Sequence, residues 1–281
     1  MKKLILAVVI VTVGMYLWQS KNPSVKDVLE RQTESVKEAI LMPFSEMTIP
    51  SLRSRTYSSQ LGELKQYSDS STYTSYLTNY NSDGLKVNGL LNIPKGDKPE
   101  KGWPAIIFVH GYIAPSTYKT TEKYTDYVNY LARNGFVVFK IDLRGHGESE
   151  GEPGGAYNSP DYVIDTLNAR AALANADYVN PEAIGLWGHS MAGNVTFRSF
   201  VAAQDIPALV IWAGATYSYE DLAKYGLNDH SYRPPTNRTE VQRRRSQLRE
   251  THGEFSLESE FWRQVAPTNY LDGVNGAIQV H

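Results

Sequence analysis

The chain has 281 residues, enough for one large domain or two small ones. Hydrophobic residues make up 41% and charged residues 21%, the balance of an ordinary globular protein. A formal net charge of -2 lacks the basic excess of a nucleic-acid binder. The absence of cysteine excludes disulfides, thiolate zinc sites, cysteine nucleophiles and lipidated cysteine anchors.

Residues 1–21 place Lys2 and Lys3 before an uncharged, mostly apolar stretch from Leu4 to Trp18. This is the layout of a secretory signal. Trp18 suits a cleavage site poorly, so an uncleaved membrane anchor is expected, with cleavage and secretion as the alternative. As a helix the stretch spans only ~22 Å against ~30 Å of hydrocarbon, so Lys3 and Lys21 would have to snorkel. Lys2 and Lys3 favour a cytoplasmic N-terminus, which puts the rest of the chain outside, although Lys21 and Lys26 weaken that bias.

Residues 22–40 predict an amphipathic helix, capped by Asn22 with Pro23 at its first position. Residues 43–70, rich in Ser, Pro and charge, read as a loose connector, so the main domain is expected over 71–281. Residues 72–96 alternate in polarity around Ser82-Asp83-Gly84 and predict a β-hairpin.

From residue 103 apolar strands alternate with helices. Strands are expected at 104–111, 135–147 (with its loop), 182–190, 206–214 and 276–281. Helices are expected at about 117–134, 159–176 and 191–203. Strands apolar throughout and separated by helices imply a mostly parallel, doubly wound α/β sheet covered on both faces. Ligands in such sheets lie beyond the carboxyl ends of the strands, where His110, Asp142 and Ser190 all fall.

GLWGHSMAGN (185–194) puts Ser190 between a strand and a helix, the context of a nucleophile elbow. Gly188 and Ala192 flank it, alanine standing where the motif has its second glycine, and Gly193 follows. A serine that merely caps the helix is the plainer alternative. Acyl transfer also needs oxyanion donors. The backbone N–H groups of Met191 and of Tyr112, in the loop HGYIAP (110–115), are the candidates. His110 is expected to bond its loop backbone, and His146 to sit in a loop held by Arg144 and Asp142. His189 is expected to point into the packing.

GWPAIIFVHGY, DLRGHGESEG and GLWGHSMAG, in this order, resemble the α/β-hydrolase superfamily over about residues 70–281. They are most similar to prolyl-oligopeptidase-type (S9) serine peptidases and dienelactone-hydrolase-like esterases. The resemblance implies the α/β-hydrolase fold and cleavage of a peptide or ester through an acyl-enzyme on Ser190. It implies no metal or cofactor, and leaves amide against ester open. It also implies the triad order Ser, then Asp or Glu, then His. Asp205 and Asp272 precede their strands and so lie at the wrong edge. Asp221, Asp229, His230 and His252 lie in an insertion, about 217–268, that reads as a helical lid. The acid and base are therefore expected after residue 281, with C-terminal strands and a helix missing and residues 1–281 inactive alone. A binding protein that kept the fold without the triad is the competing reading. In the insertion Arg243, Arg244, Arg245 and Arg249 read as a solvated helix face. Tyr219, Tyr225, Tyr232 and Trp262 could line an apolar pocket.

Overall fold

A computed structural model describes residues 42–216, 218, 221, 224, 239–256 and 258–281. The anchor and amphipathic helix expected over 1–40 lie outside the described residues, as do Tyr219, Tyr225, Asp229, His230 and Tyr232. Among the described residues no helix is long and apolar enough to cross a membrane.

Residues 46–281 build an eight-stranded sheet of order β1-β2-β3-β5-β4-β6-β7-β8. The strands are β1 (Lys65–Asp69), β2 (Tyr73–Ser82), β3 (Leu85–Pro94), β4 (Trp103–Val109), β5 (Val137–Ile141), β6 (Val179–His189), β7 (Ala208–Trp212) and β8 (Ala277–Val280). The first three form an antiparallel meander that joins β5 antiparallel. From β5 onward, through β4, β6, β7 and β8, all pairing is parallel. The two-residue loop of the β2–β3 hairpin has φ of 52° at Asp83 and 85° at Gly84. Positive φ at both positions is what a type I′ turn requires, and its twist suits the flanking strands.

Residues 43–70 are not the loose connector expected. They supply a short helix, α1 (Ile49–Ser54), whose Ile49 and Leu52 are fully buried, and the edge strand β1. The long helix expected over 117–134 is also shorter. It begins only at Thr125 (α2, Thr125–Arg133), because Lys123 and Tyr124 adopt φ of 53° and 57°, which no right-handed helix accommodates.

All five residues of β5 are buried, because both faces of the parallel sheet are covered. On one face Ile107, Phe139 and Leu186 pack under α3 (Asp161–Ala174) and α4 (Ala192–Ala203), with Leu167, Val195 and Phe200. On the other, Phe108, Val138 and Trp187 pack against Val128 and Ala132 of α2. Ser159 accepts the Asp161 N–H at 3.0 Å at the head of α3. Arg198 of α4 is fully buried and donates to the carbonyls of Met47, Ala156 and Ser159 at 2.6, 3.2 and 3.0 Å, drawing three segments onto one helix.

The described part of the insertion contains α5 (Thr239–His252) and α6 (Glu260–Val265). Phe261, Trp262 and Val265 are buried, and His252 stacks on Phe261 at 3.8 Å. Trp262 is therefore packing rather than a pocket wall. Arg243, Arg245 and Arg249 are exposed, as a solvated face requires, while Arg244 reaches Glu46 at 2.8 Å.

Candidate active site

Beta strand β6 ends at His189 and α4 begins at Ala192, which leaves two residues to reverse the chain. Ser190 makes the turn with φ of 51°, a conformation that costs a non-glycine residue about 1–3 kcal/mol. Three hydrogen bonds hold it there. The Ser190 N–H donates to the Trp212 carbonyl at 3.1 Å, and the Ser190 carbonyl accepts from Gly193 and Ala215 N–H, both at 2.9 Å. Small neighbours make this possible. A Cβ on Gly188 would lie 2.6 Å from Thr196 Oγ1 and 2.8 Å from the Ala192 carbonyl. A Cβ on Gly193 would meet only backbone, 2.8 Å from Gly214 Cα and 2.9 Å from the Ala215 nitrogen. Ala192 is fully buried, so its methyl group fits where the motif has glycine. Replacing Gly193 with alanine should push the 214–215 backbone away and loosen its bond to Ser190. We expect a loss of about 1–3 kcal/mol in urea unfolding; an unchanged midpoint would show that this contact is not tight.

Met191 follows in helical conformation, with φ of −46° and ψ of −40°, so its N–H heads α4 beside the serine. The loop after β4 comes against the end of β6, since a Cβ on Gly111 would lie 3.1 Å from the His189 carbonyl. His110 is fully buried, with Nδ1 2.7 Å from the Gly111 carbonyl and Nε2 2.9 Å from the Asp142 carbonyl. It bonds backbone, as expected, and so sets the start of the loop that carries Tyr112. The Asp142 carboxylate accepts from Tyr118 at 2.8 Å and Thr120 at 2.5 Å, pinning the same loop farther along. Lys140 is buried with its Nζ 3.1 Å from the Tyr118 hydroxyl, and burial pulls it down to about 8 against the Asp142 charge.

Two expectations change here. Arg144 does hold the loop around His146, but with Asp165 and Asp161, not with Asp142. Its guanidinium lies 2.7 Å from Asp165 and 3.2 Å from Asp161. Burial works against the Arg144 charge, but the Asp165 bonds outweigh it and keep the guanidinium above its usual value. His189 does not point into closed packing. With Ile113, Lys123, Tyr124, Tyr127 and Trp187 it lines a cavity of about 320 Å³.

Five of the six histidines are described, and each is engaged away from Ser190. His110 and His146 bond loop carbonyls, and His189 meets Tyr124. His252 stacks on Phe261, and His281 lies 4.9 Å from the Trp212 ring. Asp205 pairs with Arg170 at 2.9 Å, Asp221 bonds Ser218 at 2.8 Å, and Asp272 precedes β8 at the opposite edge. Among the described residues no side-chain hydrogen bond links Ser190 to a histidine or carboxylate.

The serine aminopeptidase (S33) hydrolase family matches residues 102–231. The chain is 29% identical over 164 residues to a probable dipeptidyl-aminopeptidase B of Penicillium rubens, covering 55% of this chain and 16% of that protein. It is 32% identical over 111 residues to a thiohydrolase of Aspergillus aculeatus, covering 40% of this chain and 32% of the relative. The chain thus spans a third or less of these two curated relatives. Among solved structures, acetyl xylan esterase 1 of Thermoanaerobacterium sp. superposes with a TM-score of 0.57 at 19% identity, over 90% of this chain and 77% of that one. Dipeptidyl peptidase 4 of Porphyromonas gingivalis gives 0.54 at 20% identity, over 74% of this chain and 27% of that one. Peptidases and esterases alike share this fold.

Proposed function

We propose that this chain, a member of the α/β-hydrolase superfamily, is a serine hydrolase that cleaves peptide or ester bonds through an acyl-enzyme on Ser190. The observation that carries this reading is the strained serine between β6 and α4, with φ of 51°. A cap serine gains nothing from that conformation; a nucleophile gains an exposed Oγ at the carboxyl edge of the sheet. In this reading Ser190 Oγ attacks the substrate carbonyl and the negative charge moves onto its oxygen. The N–H groups of Met191 and Tyr112 receive that oxyanion. The leaving group departs with a proton, and water then releases the acyl group from Ser190. A serine hydroxyl needs an oriented base for the attack. We assign the base and acid to residues outside those described. We also place the catalytic domain outside the cytoplasm, held by residues 4–18; the charge layout of residues 1–21 supports this.

A panel of p-nitrophenyl esters and peptide p-nitroanilides, run with a fluorophosphonate probe, tests the reading. On full-length protein that supplies the base and acid as well as Ser190, covalent labelling of Ser190 is expected, and the turned-over panel then separates esterase from peptidase. No labelling of the protein would favour the competing reading, a fold that keeps the elbow without the chemistry.

A further inference from the structure

The loop and the elbow meet at one atom. The Tyr124 hydroxyl accepts the Gly111 N–H at 3.0 Å and lies 2.8 Å from Nδ1 of His189. Gly111 adjoins Tyr112, and His189 adjoins Ser190, so this one oxygen joins the two segments that carry the proposed oxyanion donors and nucleophile. The approach is close enough to require glycine. A Cβ on Gly111 would lie 2.7 Å from the Tyr124 hydroxyl, 2.8 Å from His189 Nδ1 and 3.1 Å from the His189 carbonyl. Tyr124 reaches this place by accepting a left-handed backbone, with Lys123 before it in the same region. Its ring is held by Phe108 at 5.5 Å and by the His189 ring at 5.5 Å. Strain of this kind persists only where surrounding contacts over-determine it.

We infer that Tyr124 and His189 are a pair of positioning residues that lock the oxyanion loop to the nucleophile elbow. The inference rests on the serine-hydrolase reading. A tyrosine hydroxyl has one proton. One lone pair takes the Gly111 N–H, and we assign the proton to His189 Nδ1, which makes the imidazole the Nε2–H tautomer; an Nδ1–H donating to the second lone pair is the opposite outcome that the ring shifts would reveal. Partial burial favours the neutral ring that such a bond needs. Without the hydroxyl, the Gly111 N–H loses its acceptor, and the distance between Tyr112 and Met191 is no longer fixed from this side.

The variant Tyr124→Phe removes the hydroxyl and keeps the ring. Two readouts are taken on the whole protein, the ¹⁵N shifts of the His189 ring and the rate of fluorophosphonate labelling of Ser190. In the unaltered protein His189 should be the Nε2–H tautomer with Nδ1 accepting. In Tyr124→Phe it should become a tautomer mixture, and labelling should slow about tenfold, less than the loss of a whole oxyanion donor. His189→Gln, whose carbonyl can still accept from Tyr124, should retain more of the labelling rate than His189→Leu. An unchanged tautomer in Tyr124→Phe, or labelling that stays at the original rate, would overturn the positioning role alone. Absence of labelling in the unaltered protein would overturn the serine-hydrolase reading and the positioning role together, and the tautomer would still report whether the bond exists.

Discussion

Replacing Ser190 with alanine should abolish fluorophosphonate labelling and lower turnover by on the order of 10⁴- to 10⁶-fold. Only catalysis by the remaining oxyanion donors and by substrate binding would survive. Labelling that persists in Ser190→Ala would remove the nucleophile assignment. The same position offers a second measurement that does not depend on chemistry. Ser190 has φ of 51°, where a Cβ is strained and glycine is not. Ser190→Ala keeps that strain and Ser190→Gly relieves it. Both variants should be inactive, but Ser190→Gly should be the more stable by about 1 kcal/mol in urea unfolding. Equal stabilities would mean that the turn is relaxed, and the functional argument from strain would then fail.

The strand and helix order from 103 to 281 was legible because it rests on local patterns. Continuous apolar runs such as IIFV in β4 and VVF in β5, rich in β-branched residues and separated by helical stretches, suit strands buried on both faces, and the serine between GLWGH and MAG follows from that alternation. The hairpin was legible for a related reason, since Asp83-Gly84 states its own turn type. What was missed depends on contacts far apart in sequence. Residues 43–70 look like a connector because most of β1 faces solvent, and its pairing with β2 leaves no apolar signature. Tyr124 sits inside an apparently helical stretch. Nothing local announces that it leaves the helix to meet Gly111, 13 residues earlier, and His189, 65 residues later. The pairing of Arg144 with Asp165 was missed in the same way, because a closer aspartate, Asp142, offered itself in sequence. That carboxylate is instead taken up by Tyr118 and Thr120.

Stability should fall steeply on mild acidification, and His110 is the principal reason. The ring is fully buried. Burial and then the neighbouring His146 pull it down to about 3, opposed by its carbonyl contacts, with Lys140 adding a smaller push in the lowering direction. Burial also lowers His146. In the unfolded chain His110 takes up a proton near 6.5, which the folded protein refuses until about 3. The unfolded state therefore binds more protons across that window. The stabilisation is complete above 6.5 and is lost as the pH falls toward 3, a total of about 5 kcal/mol from this ring. Ordinary carboxylates titrate nearer their own range, but burial raises Asp142 and Asp165 in the folded protein and these two oppose the histidine effect as the pH falls, so the interval between about pH 6.5 and 5 reads the histidines net of that pair. Urea midpoints measured across that interval should decline continuously. The alternative follows from the same site, because both ring nitrogens face carbonyls, Gly111 on one side and Asp142 on the other. A neutral imidazole can donate to only one of them. If NMR titration finds His110 protonated at or above its ordinary range, two carbonyls are stabilising a buried imidazolium. The acid-labile ring predicted here would then be excluded.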